Sequence, residues 1–151
     1  MLEMNEEEIL YVAQTEAKKS NCPRTKVGCV IVKNNRVLLA AHNNELKGLA
    51  YCQQYGCQRI RDNIKSGTNM SDCRGIHAEQ KLIVECALQG INPTGCEIYS
   101  THLPCSTCAK ILIEAGIRKI TYIYDYPNSN AKELFFEVGI ACVKRREPNA
   151  K

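Results

Sequence analysis

Two short motifs, well separated along the chain, constrain this sequence more than any other feature. They are His77-Ala78-Glu79 and Pro104-Cys105-Ser106-Thr107-Cys108. One imidazole and two thiolates are ligands that zinc prefers, and three such ligands leave the fourth tetrahedral position open for water. The fold must therefore bring two distant parts of the chain to one point.

The residues around both motifs predict that the ligands lie at the starts of helices. One helix is expected from about His77 to Gln89, before Gly90, and another from Cys105 to Ala115, before Gly116. The positive end of a helix favours thiolate over thiol, and a spacing of three places both cysteines on one face. Glu79 follows the histidine closely enough to exchange protons with a water molecule on the metal without binding the metal itself.

The order H-x-E, then P-C-x-x-C, is the signature of zinc-dependent nucleobase deaminases. A C-x-x-C motif alone would also fit a redox site or half of a zinc ribbon. The alternative is a purely structural zinc, closed by a fourth cysteine from the ten in the chain. Glu79 argues against that alternative, because a closed site has no use for a neighbouring carboxylate.

Length and composition are those of a small globular protein. A chain of 151 residues with 44% hydrophobic and 24% charged residues predicts a single domain over residues 1–151. The net charge of +4 suits a small anionic substrate and is weak for a nucleic-acid binder. Neither a membrane-spanning run nor a secretory signal is recognisable. We therefore expect a cytoplasmic protein with reduced cysteines and no membrane or nucleic-acid partner.

The remaining pattern predicts helices packed on a mostly parallel half-sheet. Asn5 is expected to cap a first helix that ends near Ser20, and residues 27–32 and 36–41 to form an antiparallel hairpin. Further strands are expected at 97–101, 119–124 and 141–144, and a short helix at 131–138. Residues 44–74 are polar and aperiodic, which predicts a long cysteine-bearing loop with one short helical piece.

The chain resembles the cytidine/deoxycytidylate deaminases, and most of all the deoxycytidylate branch. The resemblance covers roughly residues 5–145 and is carried by the stretches 22–32, 73–80, 101–110 and 125–127. It implies a three-layer α/β/α fold with a mixed five-stranded sheet. It also implies a homo-oligomer that uses zinc to convert deoxycytidylate (dCMP), a small nucleotide, to dUMP with release of ammonia.

Site residues follow from the same resemblance. The catalytic zinc would be held by His77, Cys105 and Cys108, with Glu79 as the proton shuttle. The expected substrate contacts are Asn43 on the sugar, Tyr126 against the base, Ala78 and His102 in the pocket, and Arg24 and Lys26 on the 5′-phosphate. The sequence departs from the family in three ways, because the loop after Asn43 lacks a proline, Asn44 replaces a glycine and Lys81 replaces an asparagine. Asparagine tolerates the left-handed turn that the glycine would make.

Four other cysteines flank or lie within the long loop, namely Cys22, Cys52, Cys57 and Cys73. They predict a second, structural zinc that would order a segment with little apolar content. The remaining cysteines, Cys29, Cys86, Cys96 and Cys142, are expected to pack in the core. Three alternative substrates stay open, namely cytidine, guanine and the adenosine of a tRNA. A non-catalytic zinc-binding module is the alternative from another class, which zinc content and an ammonia-release assay would separate.

Overall fold

A computed structural model describes residues 2–148. The first helix, α1 (Glu6–Ala17), begins at a capping box, in which Asn5 and Glu8 each accept a hydrogen bond from the other's backbone N–H. Strands β1 (Gly28–Lys33) and β2 (Arg36–His42) form the expected antiparallel hairpin. Asn34 and Asn35 turn the chain with φ of 52° and 61°, as a tight hairpin requires.

The segment after the hairpin contains more regular structure than its sequence predicted. It holds β3 (Asn44–Glu45), α2 (Tyr51–Tyr55), α3 (Gln58–Arg61), a 3₁₀ turn (Met70–Asp72) and β4 (Gly75–Ile76), which pairs with β3. The expectation of a loop with one helical piece over residues 44–74 was therefore wrong. Periodicity misses these elements because single polar contacts hold them. The Glu45 carboxylate, for example, accepts the backbone N–H groups of Cys52 and Gln53 at the start of α2.

The main sheet has five strands in the order β2-β1-β5-β6-β7, completed by β5 (Glu97–His102), β6 (Lys119–Tyr124) and β7 (Ala141–Lys144). β1 runs antiparallel to both β2 and β5, whereas β5, β6 and β7 are parallel to one another. The predicted mixed five-stranded sheet is confirmed, and the sheet changes from antiparallel to parallel pairing at β5.

Helices cover both faces of this sheet. The helices α4 (Ala78–Gln89), α5 (Ser106–Glu114) and α6 (Ala131–Glu137) pack on one face, where Leu82, Leu112 and Phe135 are fully buried. α1 packs on the other face through Ile9 and Leu10. The predicted three-layer α/β/α fold is confirmed. Within residues 2–148, we find no helix that combines the length and apolar character needed to cross a membrane.

Candidate active site

The two sequence motifs meet at the end of β5, where it lies beside the start of β1. β5 leads through Leu103 and Pro104 into Cys105, which is the N-cap of α5, and His77 is the N-cap of α4. The Gln80 side chain accepts the backbone N–H of His77 at 3.0 Å and so fixes the start of α4. Ligands bind outside the carboxyl ends of strands where the strand order switches, and this is such a point.

Three metal-ligand side chains converge there. His77 Nδ1 lies 3.2 Å from Cys108 Sγ and 3.4 Å from Cys105 Sγ. Within residues 2–148, these three residues alone form a group of metal-ligating side chains whose ligand atoms all lie within 4.8 Å of one another. Zinc bonded tetrahedrally to nitrogen at about 2.0 Å and sulfur at about 2.3 Å separates its ligands by about 3.5 Å. The side chains therefore fit a zinc ion with little movement.

The two thiols differ in acidity. A hydrogen bond from the Cys108 thiol lowers the pKa of Cys105 to about 4, and His77 and the Cys108 backbone N–H act in the same direction. The pKa of Cys108 is raised, because its thiol donates that hydrogen bond and is buried. Zinc binds cysteine as thiolate, and the lowered pKa of Cys105 favours that form.

A buried carboxyl group completes the cavity beside these ligands. Glu79 is only 4% exposed, and burial raises its pKa to about 7, although the neighbouring His77 acts in the opposite direction. Both Glu79 and the fully buried Ala78 line the cavity at the start of α4. A carboxyl group that ionises near neutrality can accept and return a proton during a reaction.

The family model of the "cytidine and deoxycytidylate deaminase zinc-binding region" matches residues 3–124, most of the chain. The protein belongs to this deaminase family.

Curated relatives and a solved structure agree with this assignment. The chain is 37% identical over 133 residues to ComE operon protein 2 of Bacillus subtilis, covering 86% of this chain and 66% of that protein. It is 30% identical over 132 residues to the deoxycytidylate deaminase of Schizosaccharomyces pombe, covering 87% of this chain and 41% of that one. The chain thus spans less than two thirds of the length of these relatives.

The dCMP deaminase of the cyanophage S-TIM5, crystallised with dCMP and dUMP, superposes with a TM-score of 0.78 at 27% sequence identity. The superposition covers 94% of this chain and 99% of the phage chain. The two proteins therefore match in fold over nearly their whole lengths.

In this member of the deaminase family, the cavity brings together most of the predicted substrate residues. Its lining includes Arg24, Asn43, Ala78, His102 and Tyr126. Burial lowers the pKa of His102, and the centroid of its ring lies 5.1 Å from that of the Tyr124 ring. Lys26 is exposed and lies outside the lining.

Asn43 and Asn44 have separate tasks. The Asn43 amide accepts the backbone N–H of Val27 and donates to the carbonyl of Thr25, each at 2.8 Å, so it fixes the chain that enters β1. Asn44 does not use the left-handed conformation expected of it. It lies in β3 instead, and its side chain accepts the backbone N–H of Asn21 at 2.9 Å.

A buried arginine that the sequence did not single out also lines this cavity. Arg59, in α3, is 6% exposed, and its Nε donates to the carbonyl of Thr68 at 3.1 Å. No motif or spacing marks this residue, because the pattern of hydrophobic residues in the sequence did not predict α3. Arg24 reaches the cavity from the other side and donates to the carbonyl of Ile64, while its Nη1 is buried without a hydrogen-bond partner.

The four loop cysteines lie near one another. Burial raises the pKa of Cys52 to about 11, and electrostatic interactions with Glu45 and with the Cys57, Cys73 and Cys22 side chains act in the same direction. Their sulfur atoms do not meet the 4.8 Å distance that His77, Cys105 and Cys108 satisfy. The core cysteines are confirmed, because Cys29, Cys86 and Cys96 are buried and Cys142 packs against the core.

Proposed function

We propose that this protein is a zinc-dependent deaminase that hydrolyses dCMP to dUMP and ammonia. The observation that carries the proposal is the pairing of two features in one cavity. A buried carboxyl group lies beside three zinc-ligand side chains, and Arg24, one of whose guanidinium nitrogens is buried without a partner, faces the same space. The relatives named deoxycytidylate deaminase support the same choice of substrate.

In this proposal, His77, Cys105 and Cys108 hold the zinc. The nitrogen and two sulfur donors suit zinc, and the helix N-termini that carry them favour the anionic form of the thiols. Three protein ligands leave one position open, which distinguishes a catalytic site from a structural one. When bound, zinc supplies a Lewis acid that makes a hydroxide nucleophile available near neutral pH.

Glu79 is the proposed proton shuttle. Its carboxylate takes the proton from the attacking water, delivers it to the ring nitrogen of the cytosine and then assists the departure of the amino group as ammonia. Burial keeps the carboxyl group poised near neutrality, and the group is not needed to bind the metal. General acid–base help of this kind is worth about 10²–10⁴ in rate.

The substrate phosphate is assigned to Arg24. A buried guanidinium nitrogen without a partner is costly, and an anion in the cavity would satisfy it. Arginine also presents a planar pair of donors that matches two phosphate oxygens. The other contacts remain as proposed from the sequence, with Asn43 near the sugar and Tyr126, Ala78 and His102 around the base.

We also propose a second, structural zinc bound by Cys22, Cys52, Cys57 and Cys73. The mutual effect of these thiols on the pKa of Cys52 supports it, since charges act strongly only at short range. Zinc binding would require the four sulfur atoms to draw together around the ion. It would join the start of β1 to the loop, because Cys22 precedes β1 and the other three belong to the segment after β2.

The exposed apolar residues beside α4 support a homo-oligomer. Val84 and Leu88 lie one turn apart on α4 and are 44% and 66% exposed, and Leu46 and Leu49 are also exposed. A patch of this kind is typical of protein contact surfaces. Light scattering of the purified protein and of Leu88→Glu tests it, because the charged variant should shift the protein toward the monomer.

An ammonia-release assay tests the proposed function. The substrates to compare are dCMP, CMP, deoxycytidine, cytidine and guanine. We expect dCMP to give the highest kcat/KM, at least tenfold above deoxycytidine, since charged hydrogen bonds contribute about 1.5–3 kcal/mol. Equal kcat/KM for dCMP and deoxycytidine would contradict a nucleotide substrate, and release of ammonia from guanine alone would contradict the assignment of the base.

A further inference from the structure

Two arginines reach the cavity from different parts of the chain, and both bind the same stretch of backbone. Arg24 Nη2 donates to the carbonyl of Ile64, and Arg59 Nε donates to the carbonyl of Thr68. We call residues 64–68 the cover segment. Each arginine therefore ties one end of the cover segment to the wall of the cavity.

Neither arginine is paired with a carboxylate in the part of the chain that the structure describes. Arg59 is 6% exposed, and Arg24 has a buried nitrogen with no partner. Burying a guanidinium group without a paired anion is unfavourable, so two such groups facing one cavity favour the binding of an anion there.

The cover segment also touches the part of the cavity proposed to hold the base. Ser66 lines the cavity. Gly67 has φ of +81° and packs so closely that a Cβ there would lie 2.9 Å from the Pro127 carbonyl oxygen and 3.4 Å from Tyr126 Cε1. The cover segment therefore contacts both arginines and also lies against Tyr126.

We propose that Arg24 and Arg59 form a clamp in which the substrate's phosphate neutralises both guanidinium groups and fixes the cover segment against Tyr126. Arg59 is then a specificity-determining residue for a nucleoside monophosphate. This inference rests on the proposed function and extends it, because the phosphate would raise turnover as well as affinity. Binding energy from a remote group that orders the site appears in kcat, so a substrate lacking that group loses kcat.

Inorganic phosphate provides the decisive probe. If the phosphate dianion itself fixes the cover segment, added phosphate should raise the kcat for deoxycytidine about tenfold, at saturating deoxycytidine in the zinc-loaded enzyme. Arg59→Met should lose this activation, and should lower kcat/KM for dCMP at least tenfold more than for deoxycytidine. Arg61→Met is the matched control, because Arg61 is an exposed neighbour in α3 that does not line the cavity. It should retain both the activation and the preference.

Hydrogen exchange gives an independent readout that needs no turnover. Saturating dUMP should slow exchange of the amides in residues 64–68 about tenfold in the wild type, and much less in Arg59→Met. A wild type that prefers dCMP, but shows neither phosphate activation nor this protection, would overturn the clamp and leave the proposed function standing. Retention of both effects in Arg59→Met would remove Arg59 from the clamp. A wild type with no preference for dCMP would instead overturn the proposed function itself.

Discussion

The two sides of the cavity are built in different ways. On the metal side, His77 and Cys105 are the N-caps of α4 and α5, two helices anchored in the main core by Leu82 and Leu112. On the loop side, residues 44–74 contribute short elements with few buried apolar side chains. That side is held instead by side chain–backbone hydrogen bonds, which Glu45 accepts and Arg24 and Arg59 donate.

This difference separates chemistry from recognition. A zinc site needs ligands fixed within a few tenths of an ångström, and regular elements in a packed core provide that precision. The loop side carries the cations proposed to bind the substrate phosphate, and we propose that its weaker anchoring allows an anion to order it. Substitutions on the metal side should therefore abolish turnover, whereas those on the loop side should change selectivity, metal content or order.

The largest effect is expected on the metal side, from Glu79→Gln. Because Glu79 moves protons and does not hold the metal, turnover of dCMP should fall by at least about 10² while zinc content stays near one catalytic ion per chain. Ammonia release and metal analysis measure the two quantities. Glu85→Gln, on the same helix and outside the cavity lining, is the control. Loss of the catalytic zinc from Glu79→Gln would mean that this carboxylate belongs to the metal site.

On the loop side, Cys57→Ser tests the second zinc. The wild type should contain about two zinc ions per chain, and the variant about one, with a lower Tm. Zinc in small zinc-folded peptides contributes about 10 kcal/mol to folding, so the thermal shift should be large. Cys86→Ser, a buried core position, should keep both ions. One zinc ion per chain in both the wild type and Cys57→Ser would contradict the structural zinc site and leave the catalytic site standing.

Two glycines with the same backbone conformation provide a smaller and sharper test. Gly67 and Gly95 have φ of +81° and +80°, but only the Cβ of Gly67→Ala would meet neighbouring atoms, at the Pro127 carbonyl and Tyr126. Both alanine variants should lose about 1 kcal/mol of stability from the left-handed conformation. Only Gly67→Ala should lower kcat/KM for dCMP, by about tenfold, because it displaces the cover segment. Equal kcat/KM for dCMP in the two variants would show that the position of the cover segment does not affect catalysis.

The smallest effect is expected away from the cavity, at Glu16. Burial acts to raise the pKa of Glu16, but hydrogen bonds from His42 and Lys19 lower it overall from its ordinary value of 4.5. A lowered carboxyl pKa stabilises the fold at neutral pH, and this contribution disappears as the pH falls through that pKa.

Glu16→Gln should therefore lower the free energy of unfolding by about 1–2 kcal/mol at pH 7. Denaturant unfolding at several pH values should show this difference shrinking as the solution becomes acidic. Glu114→Gln, at an exposed position of α5, should change stability little at any pH. A constant difference for Glu16→Gln across the acidic range would contradict a role for its charge.

The sequence predicted the metal side well because its signals are local. Ligand spacing, an Asn cap, a glycine after α4 and period-2 strands each depend on few neighbouring residues, and the structure follows them within a few positions. The order of motifs also predicted the family. The antiparallel hairpin and the parallel strands that follow it were predicted from the same patterns, whereas the pairing of β1 with β5 was not.

The loop side was predicted poorly because its contacts connect residues far apart in the chain. Arg24 donates a hydrogen bond to the Ile64 carbonyl, and the Asn44 side chain accepts one from the Asn21 backbone N–H. The hydrophobic periodicity of the sequence predicts neither contact. Arg59 was missed for the same reason, since only the folded chain shows that it is buried and lines the cavity. Asn44 was expected to replace a left-handed glycine, but its pairing in β3 with β4 gives it an extended backbone.

The most direct test of this division is the selectivity of Arg24→Met, measured as kcat/KM for dCMP relative to deoxycytidine. If the metal side performs the chemistry and the loop side reads the phosphate, the ratio should fall by about 10- to 100-fold, mainly through loss of dCMP turnover. A variant in which both substrates lose activity equally, with the ratio unchanged, would contradict the separation of chemistry from phosphate recognition.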